Sequence, residues 1–590
     1  VWCRYGRQAS VLEKYLTTFV TVAKEFCQRI QLRHNIKKNL TISAESEGAS
    51  IKHTKGVLAA PKMDTAHNDA RNPLDKTFDE LVKTLLEEWH VPGMSVAVID
   101  GDQTFAKGYG IATFPSEPVT PETLFFAAST TKSFTSAAIS LLIDDDAQER
   151  ATSSQSSTAS WSEPLTWKTR LASLIADDFV LPDSYATAHA TIEDALCHRT
   201  GMPDHEKSFG PSTTNVAAMV RNLRNLPMTS ELREEFMYNN MMYTAVSHVI
   251  ETRTGQNLGS FLKDRIWAPL GMTQTCWTLL DAIASEMRGD APLAQGYAWD
   301  EAAGRYVDEE QPDFPAVSGS GAIISNVLDY AKWLKCMMTR SAPLSAAGHA
   351  SVVEPRIVIP IPGNNPFKAP NLYALGWFVD TYRGERIIWH SGGWTGFGSV
   401  MAYLPDRQWS FVMMGNTSKT SNYVQMMLYF RLLDQLLETP LDERVDWNAR
   451  WKRVVGERRE ANAGARERLY PFVPIKPTPP SLSLDKYAGS YSHPGYGVME
   501  LVVDGEGLVA DRTEREIGMK VKLEHVSGEL WLAFLQVSHR DERDVEVVRA
   551  KFDISEDGTV DKFGVELEPR MGSNKIWFTR LDNWVLVPKC

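Results

Sequence analysis

What the chain lacks narrows its chemistry first. Nowhere in 590 residues do 18 consecutive apolar residues occur, so no helix is expected to span a membrane. Positive charge is in deficit: 62 Lys and Arg stand against 74 Asp and Glu, a net charge of −12. That balance argues against nucleic acid or an anionic membrane as the main partner. Cysteine is scarce and scattered (Cys3, Cys27, Cys197, Cys276, Cys336, Cys590), with no C-x-x-C pair. Free thiols are the default reading and favour a reducing, cytoplasmic setting. No signal-peptide core is visible, because Lys14, Lys24, Glu25 and Arg29 interrupt the Leu12–Ile30 stretch. Two N-x-[ST] triplets, Asn39-Leu40-Thr41 and Asn416-Thr417-Ser418, point the other way. There is no G-x-S-x-G, no H-E-x-x-H, no G-x-x-x-x-G-K-[ST] and no full G-x-G-x-x-G after a strand. An α/β-hydrolase is therefore disfavoured, and neither a metal nor a cofactor is called for.

The organisation comes next. Residues 1–73 are expected to be a poorly ordered N-terminal extension, polar and patternless beyond residue 31. A helical pattern opens at Leu74 and stops near Pro92-Gly93, and Met94–Ile99 and Thr104–Ile111 read as a hairpin. Asp144–Ser162, acidic and then Ser-rich, reads as a surface loop. Helices dominate over about 130–315, which reads as an all-helical subdomain. Strands return at Tyr373–Val379, Arg386–Trp389, Ser399–Tyr403 and Trp409–Met414, and an amphipathic helix covers Ser421–Leu437. The first large domain is thus placed at 74–440. Residues 441–483 read as a charged helix and a Pro- and Ser-rich linker that few contacts cross. Short alternating runs at Val498–Val503, Met519–His525, Leu530–Leu535, Val545–Ile554 and Lys562–Leu567 predict a small β-barrel over 484–590.

The stretch with chemical promise is Ala127-Ala128-Ser129-Thr130-Thr131-Lys132. The run from Phe134 to Ile143 is apolar nearly all round, the pattern of a buried helix. Ser129 stands where that helix begins and Lys132 follows three residues on, so both share one face with Cβ atoms about 5–6 Å apart. A hydroxyl needs a base before it attacks, and burial shifts a lysine toward neutrality. A helix N-terminus supplies free N–H groups to an oxyanion. The bland alternative is a Ser N-cap beside a solvated Lys. Ser483 and Lys486 repeat the spacing with no apolar helix behind them.

Partners for Ser129 lie elsewhere. Tyr238 and Asn240, two apart on a stretch read as extended, point the same way. Tyr238 can take the Ser129 proton if a nearby charge lowers its pKa, and Asn240 offers a donor and an acceptor to a substrate carbonyl group. A core Tyr and an N-capping Asn is the alternative. His390, Gly392 and Gly393 come off a strand. The glycines allow close backbone approach, and the Gly393 N–H can be a second oxyanion donor. His390 is a candidate substrate contact or a plain structural hydrogen-bonder.

In order, Ser129-x-x-Lys132, Tyr238-x-Asn240 and His390-x-Gly392 resemble the three motifs of the serine β-lactamase and penicillin-binding-protein superfamily, in its class C and family VIII esterase branch. Leu196–Pro203 is similar to that family's L-x-H-x-S-G-[LM]-P loop, with Thr200 for the usual Ser, and Ser318–Gly321 matches in position. The resemblance covers roughly residues 74–437. The segment from Leu484 resembles the lipocalin-like barrel appended to many such proteins. It implies an α+β fold, an antiparallel sheet flanked by helices with a helical subdomain, followed by the barrel. It implies Ser129 as acylated nucleophile, Lys132 and Tyr238 as a coupled acid–base pair, Asn240 positioning substrate, and Ser129 and Gly393 as oxyanion donors. His390 replaces the lysine that greets a carboxylate in β-lactamases, which favours ester, amide or small-peptide substrates. An acyltransferase or transpeptidase using an alcohol or amine acceptor is the alternative, and a non-catalytic binding module a third.

Overall fold

The computed structural model describes residues 72–581, apart from 153–162, 212–213, 314–315, 317, 361–368, 474–475 and 538–544. The expectations for 1–71, including the Leu12–Ile30 pattern and the Asn39 triplet, lie outside the described residues.

A nine-stranded antiparallel sheet forms the first domain. Its strands are β1 (Gly93–Asp100), β2 (Gln103–Thr113), β3 (Glu117–Pro118), β4 (Ile357–Ile359), β5 (Asn371–Tyr373), β6 (Phe378–Tyr382), β7 (Glu385–Trp394), β8 (Phe397–Leu404) and β9 (Trp409–Gly415). Their order is β3-β2-β1-β9-β8-β7-β6-β5-β4, so chain from both ends of the domain meets at the β1–β9 pair. β1 is buried on both faces, which is why it reads as an unbroken apolar run. Val96 and Val98 face α1 (Lys76–Glu88) and a later helix, Thr420–Leu436, while Ala97 and Ile99 face the core around Phe134 and Ile139. The period of two along one strand thus serves two layers.

α2 (Lys132–Thr152) runs through the second core, buried from Lys132 to Leu142. Its extent corrects the start of the surface loop expected over Asp144–Ser162, whose Ser-rich remainder, 153–162, lies outside the described residues. The acidic run continues the helix because Asp145 pairs with Arg265 at 2.8 Å and Asp146 with Arg150 at 2.8 Å. α3 (Asn240–Thr254) and α4 (Val327–Thr339) pack nearby. The Tyr373–Val379 run is not one strand: β5 ends at Tyr373, Gly376 turns with φ of 80°, and β6 starts at Phe378. Asn416 is fully buried, with its amide bonded to the backbones of Gly93, Ile111 and Ala112. Its triplet therefore serves the fold rather than a glycan.

α5 (Thr420–Leu436) is followed by α6 (Trp447–Ala463), which bridges two domains. At one end Trp447 stacks on Phe430 with ring centroids 4.3 Å apart. At the other, Asn462 Nδ2 donates to the Val545 carbonyl at 2.8 Å. The Pro-rich stretch is stitched down rather than free: Thr478 N donates to Ser527 Oγ and Ser481 N to Glu529 Oε1.

The C-terminal domain is a closed eight-stranded antiparallel barrel, β10 (Gly489–His493) to β17 (Ile576–Arg580), closed by the β10–β17 pair. Met519 to Glu524 alternates strictly between buried and exposed. Tyr487, Tyr491, Trp531, Phe552, Phe563 and Phe578 fill the interior. Among the described residues no helix is long and apolar enough to cross a membrane.

Candidate active site

Ser129 lies on a single 3₁₀ turn, Ala128–Thr131, that runs directly into α2. Ala128 just before it has a φ of 49°, a left-handed conformation that costs a non-glycine residue about 1 kcal/mol. Neighbours hold it there. Ala127 N donates to the Ile323 carbonyl at 2.8 Å, and Ser399 Oγ donates to the Ala127 carbonyl at 2.7 Å. Gly392 of β7 packs onto the same turn: a Cβ there would stand 2.4 Å from Ala127 O and 3.0 Å from Ser129 N. Only glycine lets the strand lie this close. Gly393 lacks that constraint and lines the cavity beside Tyr238.

Lys132 is fully buried. Its Nζ lies 3.0 Å from Ser129 Oγ, 2.5 Å from Asn240 Oδ1 and 3.0 Å from the Ser320 carbonyl oxygen. Burial brings its pKa down to about 7, against the opposing pull of Glu206 and Asp204. Ser320 reaches this point because Gly319 packs flush on α3, where a Cβ would meet Ser247 Oγ at 1.9 Å.

Tyr238 faces Ser129, whose hydroxyl favours its ionised form, and Lys132 Nζ sits 4.8 Å from its ring centroid. Burial holds the phenol well above its ordinary pKa. The expectation that a lowered pKa makes Tyr238 a ready base is therefore corrected: desolvation outweighs the lowering pull of Ser129. The loop Leu196–Pro203 sets the Tyr238 segment. Met237 N donates to the His198 carbonyl at 2.7 Å, Asn239 N donates to His198 Nδ1 at 3.0 Å, and the His198 ring lies 4.3 Å from that of Tyr238.

Asn240 does not stand beside Tyr238 on an extended segment. It opens α3, and the N-cap is Asn239, whose side chain accepts from Met242 N. Asn240 Oδ1 accepts from Lys132 and Nδ2 donates to Glu206 Oε1. His390 also turns inward. It is 1% exposed, its Nε2 lies 3.0 Å from Tyr373 OH, and its Nδ1 lies 2.5 Å from the Ser391 carbonyl. Burial and the Lys132 charge hold it neutral, with a pKa down to about 3. Of its two readings the structural hydrogen-bonder fits this geometry. The structure therefore brings Ser129, Lys132, Tyr238 and Asn240 together, with β7 alongside, and leaves His390 behind them. Ser483 and Lys486 are exposed at the start of the barrel domain.

Tyr238 and Gly393 open onto a cleft, a cavity of about 680 Å³ with two kinds of wall. Tyr238, Asp204, Glu206 and Gly393 come from the first domain, while Ile517, Leu567, Glu568 and Arg570 come from the barrel. The barrel is docked firmly. Glu568 Oε2 accepts from His205 N at 2.8 Å, Tyr496 OH lies 2.6 Å from His205 Nδ1, and Arg515 donates to the Ser208 carbonyl. Barrel and first domain share one continuous apolar core. This corrects the expectation that few contacts cross the linker. The sequence reading missed Asp204, Glu206 and the barrel wall. Only their nearness to the Leu196–Pro203 loop pointed to the first two.

The architecture is that of a β-lactamase-type serine hydrolase fold joined to a β-barrel. The Beta-lactamase family model matches residues 78–435, and a domain of unknown function (DUF3471) matches 473–580. The chain belongs to the Beta-lactamase family. It is 38% identical over 519 residues to unguisins hydrolase ungD' of Aspergillus campestris, covering 87% of this chain and 93% of that one. It is 39% identical over 547 residues to unguisins hydrolase ungD of Aspergillus violaceofuscus, covering 88% and 93%. Among solved structures, the octameric penicillin-binding protein homologue from Pyrococcus abyssi shares the fold, with a TM-score of 0.53 and 20% identity over 85% of this chain and 99% of that one.

Proposed function

We propose that this protein opens an ester or amide bond of a small molecule or peptide through an acyl-enzyme on Ser129. The observation that carries this reading is the set of three partners around Lys132 Nζ. A carbonyl oxygen only accepts, and so does Asn240 Oδ1. Together they take up both N–H bonds of an uncharged amine and leave its lone pair facing Ser129 Oγ. A pKa of about 7 populates that uncharged form near neutrality.

Ser129 gives its proton to Lys132 as Oγ attacks the carbonyl carbon, and the backbone N–H groups of Ser129 and Gly393 receive the oxyanion. Tyr238, still protonated, donates to the departing oxygen or nitrogen and is refilled from the Lys132 ammonium. Water then attacks the ester on Ser129, its proton passes to the same pair, and the acid product leaves as Oγ regains a proton. Asn240 serves the lysine rather than the substrate.

Two relatives are named as hydrolases of unguisins over nearly their full length, which makes unguisins the first compounds to test here. Wild type and Ser129→Ala are incubated with unguisins and with p-nitrophenyl acetate. Hydrolysis by wild type and its absence in the variant are expected. If neither substrate class turns over in a Ser129-dependent way, the reading is wrong.

A further inference from the structure

Glu206 belongs to none of the recognised motifs, yet it stands one residue behind the lysine's own support. It opens the short turn Glu206–Ser208 and accepts from Asn240 Nδ2. An asparagine amide is ambiguous: turned one way it offers oxygen to Lys132, turned the other way N–H₂. A carboxylate only accepts, so Glu206 selects the rotamer with nitrogen toward itself and oxygen toward Lys132. Without that selection, Asn240 can turn an N–H toward the lysine lone pair, which then no longer points at Ser129.

The position of Glu206 is set in turn by the barrel. His205, directly before it, has a φ of 50° and needs outside support. Its N–H donates to Glu568 Oε2, its Nδ1 lies 2.6 Å from Tyr496 OH, and its Nε2 lies 2.8 Å from the Pro227 carbonyl. Glu568 and Tyr496 are barrel residues.

We propose that Glu206, held by the barrel through His205, is a positioning residue that locks the Asn240 amide and so aims Lys132 at Ser129. The inference rests on the acyl-enzyme reading above and adds to it a structural path from the C-terminal domain to the base. It makes the barrel part of the catalytic apparatus rather than only a wall.

The test is a double-mutant cycle on the full chain, read as the rate of Ser129 labelling by a fluorophosphonate and as kcat and KM on p-nitrophenyl acetate at pH 7. Glu206→Gln, whose amide can donate as well as accept, should lose part of this selection and fall between wild type and Glu206→Met. Glu206→Met should lose about 10²-fold in acylation rate with KM unchanged, the scale of a misplaced reacting group. In an Asn240→Ala background the same change should cost nothing more, because its route of action is gone. If Glu206→Met does not fold, Tyr496→Phe takes its place in the cycle, with an expected loss of about tenfold. Equal losses in both backgrounds, an effect on KM alone, or a wild-type rate in Glu206→Met would overturn the inference. Wild-type protein left unlabelled at Ser129 would instead sink the hydrolase reading itself.

Discussion

The two sides of the cleft are built in different ways. On the first-domain side, Ser129 and Lys132 sit three residues apart on a buried helix start, and their partners are pinned by hydrogen bonds of 2.5–3.0 Å. On the barrel side, residues 516–518 and 567–570 reach over from turns between strands. In the proposed mechanism, chemistry that tolerates little displacement is placed on rigid elements, whereas the wall that would meet the rest of a substrate stands on turns that can vary. Yet the barrel is not a detachable lid, since the apolar core runs through both domains.

The strongest way to break this comparison is to remove one side. A chain ending after Leu437 would bare Phe430, which Trp447 covers, and Leu226, which packs beside Gly495. The expected outcome is loss of soluble, cooperatively folding protein, read by thermal unfolding and size-exclusion chromatography. A folded, active truncate would show that the shared core is dispensable. Next in size is Lys132→Ala, which should lower kcat by about 10²–10⁴ while leaving the melting temperature nearly unchanged. Near wild-type esterase rates in that variant would contradict its role as base.

A pH profile sharpens the same side. In the proposed mechanism Lys132 works uncharged, so protonation below its pKa of about 7 removes the base. kcat/KM should therefore rise with pH through an acid limb centred near 7 and fall about tenfold per unit below it. A flat profile between pH 5 and 8 would count against this assignment. The smallest effect is expected from the barrel wall. Ile517→Ala and Arg570→Ala should change rates on a long-chain p-nitrophenyl ester by about tenfold or less and leave p-nitrophenyl acetate almost untouched. Equal changes on both esters would mean that this wall does not select substrates.

Legibility in the sequence followed distance along the chain. Ser129 and Lys132 were visible because one helix start holds both. The longer sheet strands were visible because their burial repeats every two residues or covers a short run, whereas the short β3 and β4 went unread and β5 and β6 were merged into one run. The barrel read as five runs where eight strands exist; Gly507–Arg512 was hidden by two charged residues and a glycine start. The acidic opening of Asp144–Ser162 read as a loop because two of its three arginine partners, Arg253 and Arg265, lie more than 100 residues away, and the local Arg150 pair alone did not show a helix. Glu206 and the barrel contacts on His205 were invisible for the same reason, as His205 and Glu568 are 363 residues apart. His390 could be numbered but not oriented, since only the fold shows that Tyr373 and the Ser391 carbonyl occupy its nitrogens.

The central claim is a covalent intermediate on Ser129, and peptide mapping by mass spectrometry tests it most directly. Wild-type protein is quenched in acid within seconds of mixing with an activated ester, then digested. The account predicts an acyl mass on the peptide containing Ser129, removed by Ser129→Ala and strongly reduced by Lys132→Ala. Steady turnover with the acyl group on another residue, or turnover that survives Ser129→Ala, would contradict it.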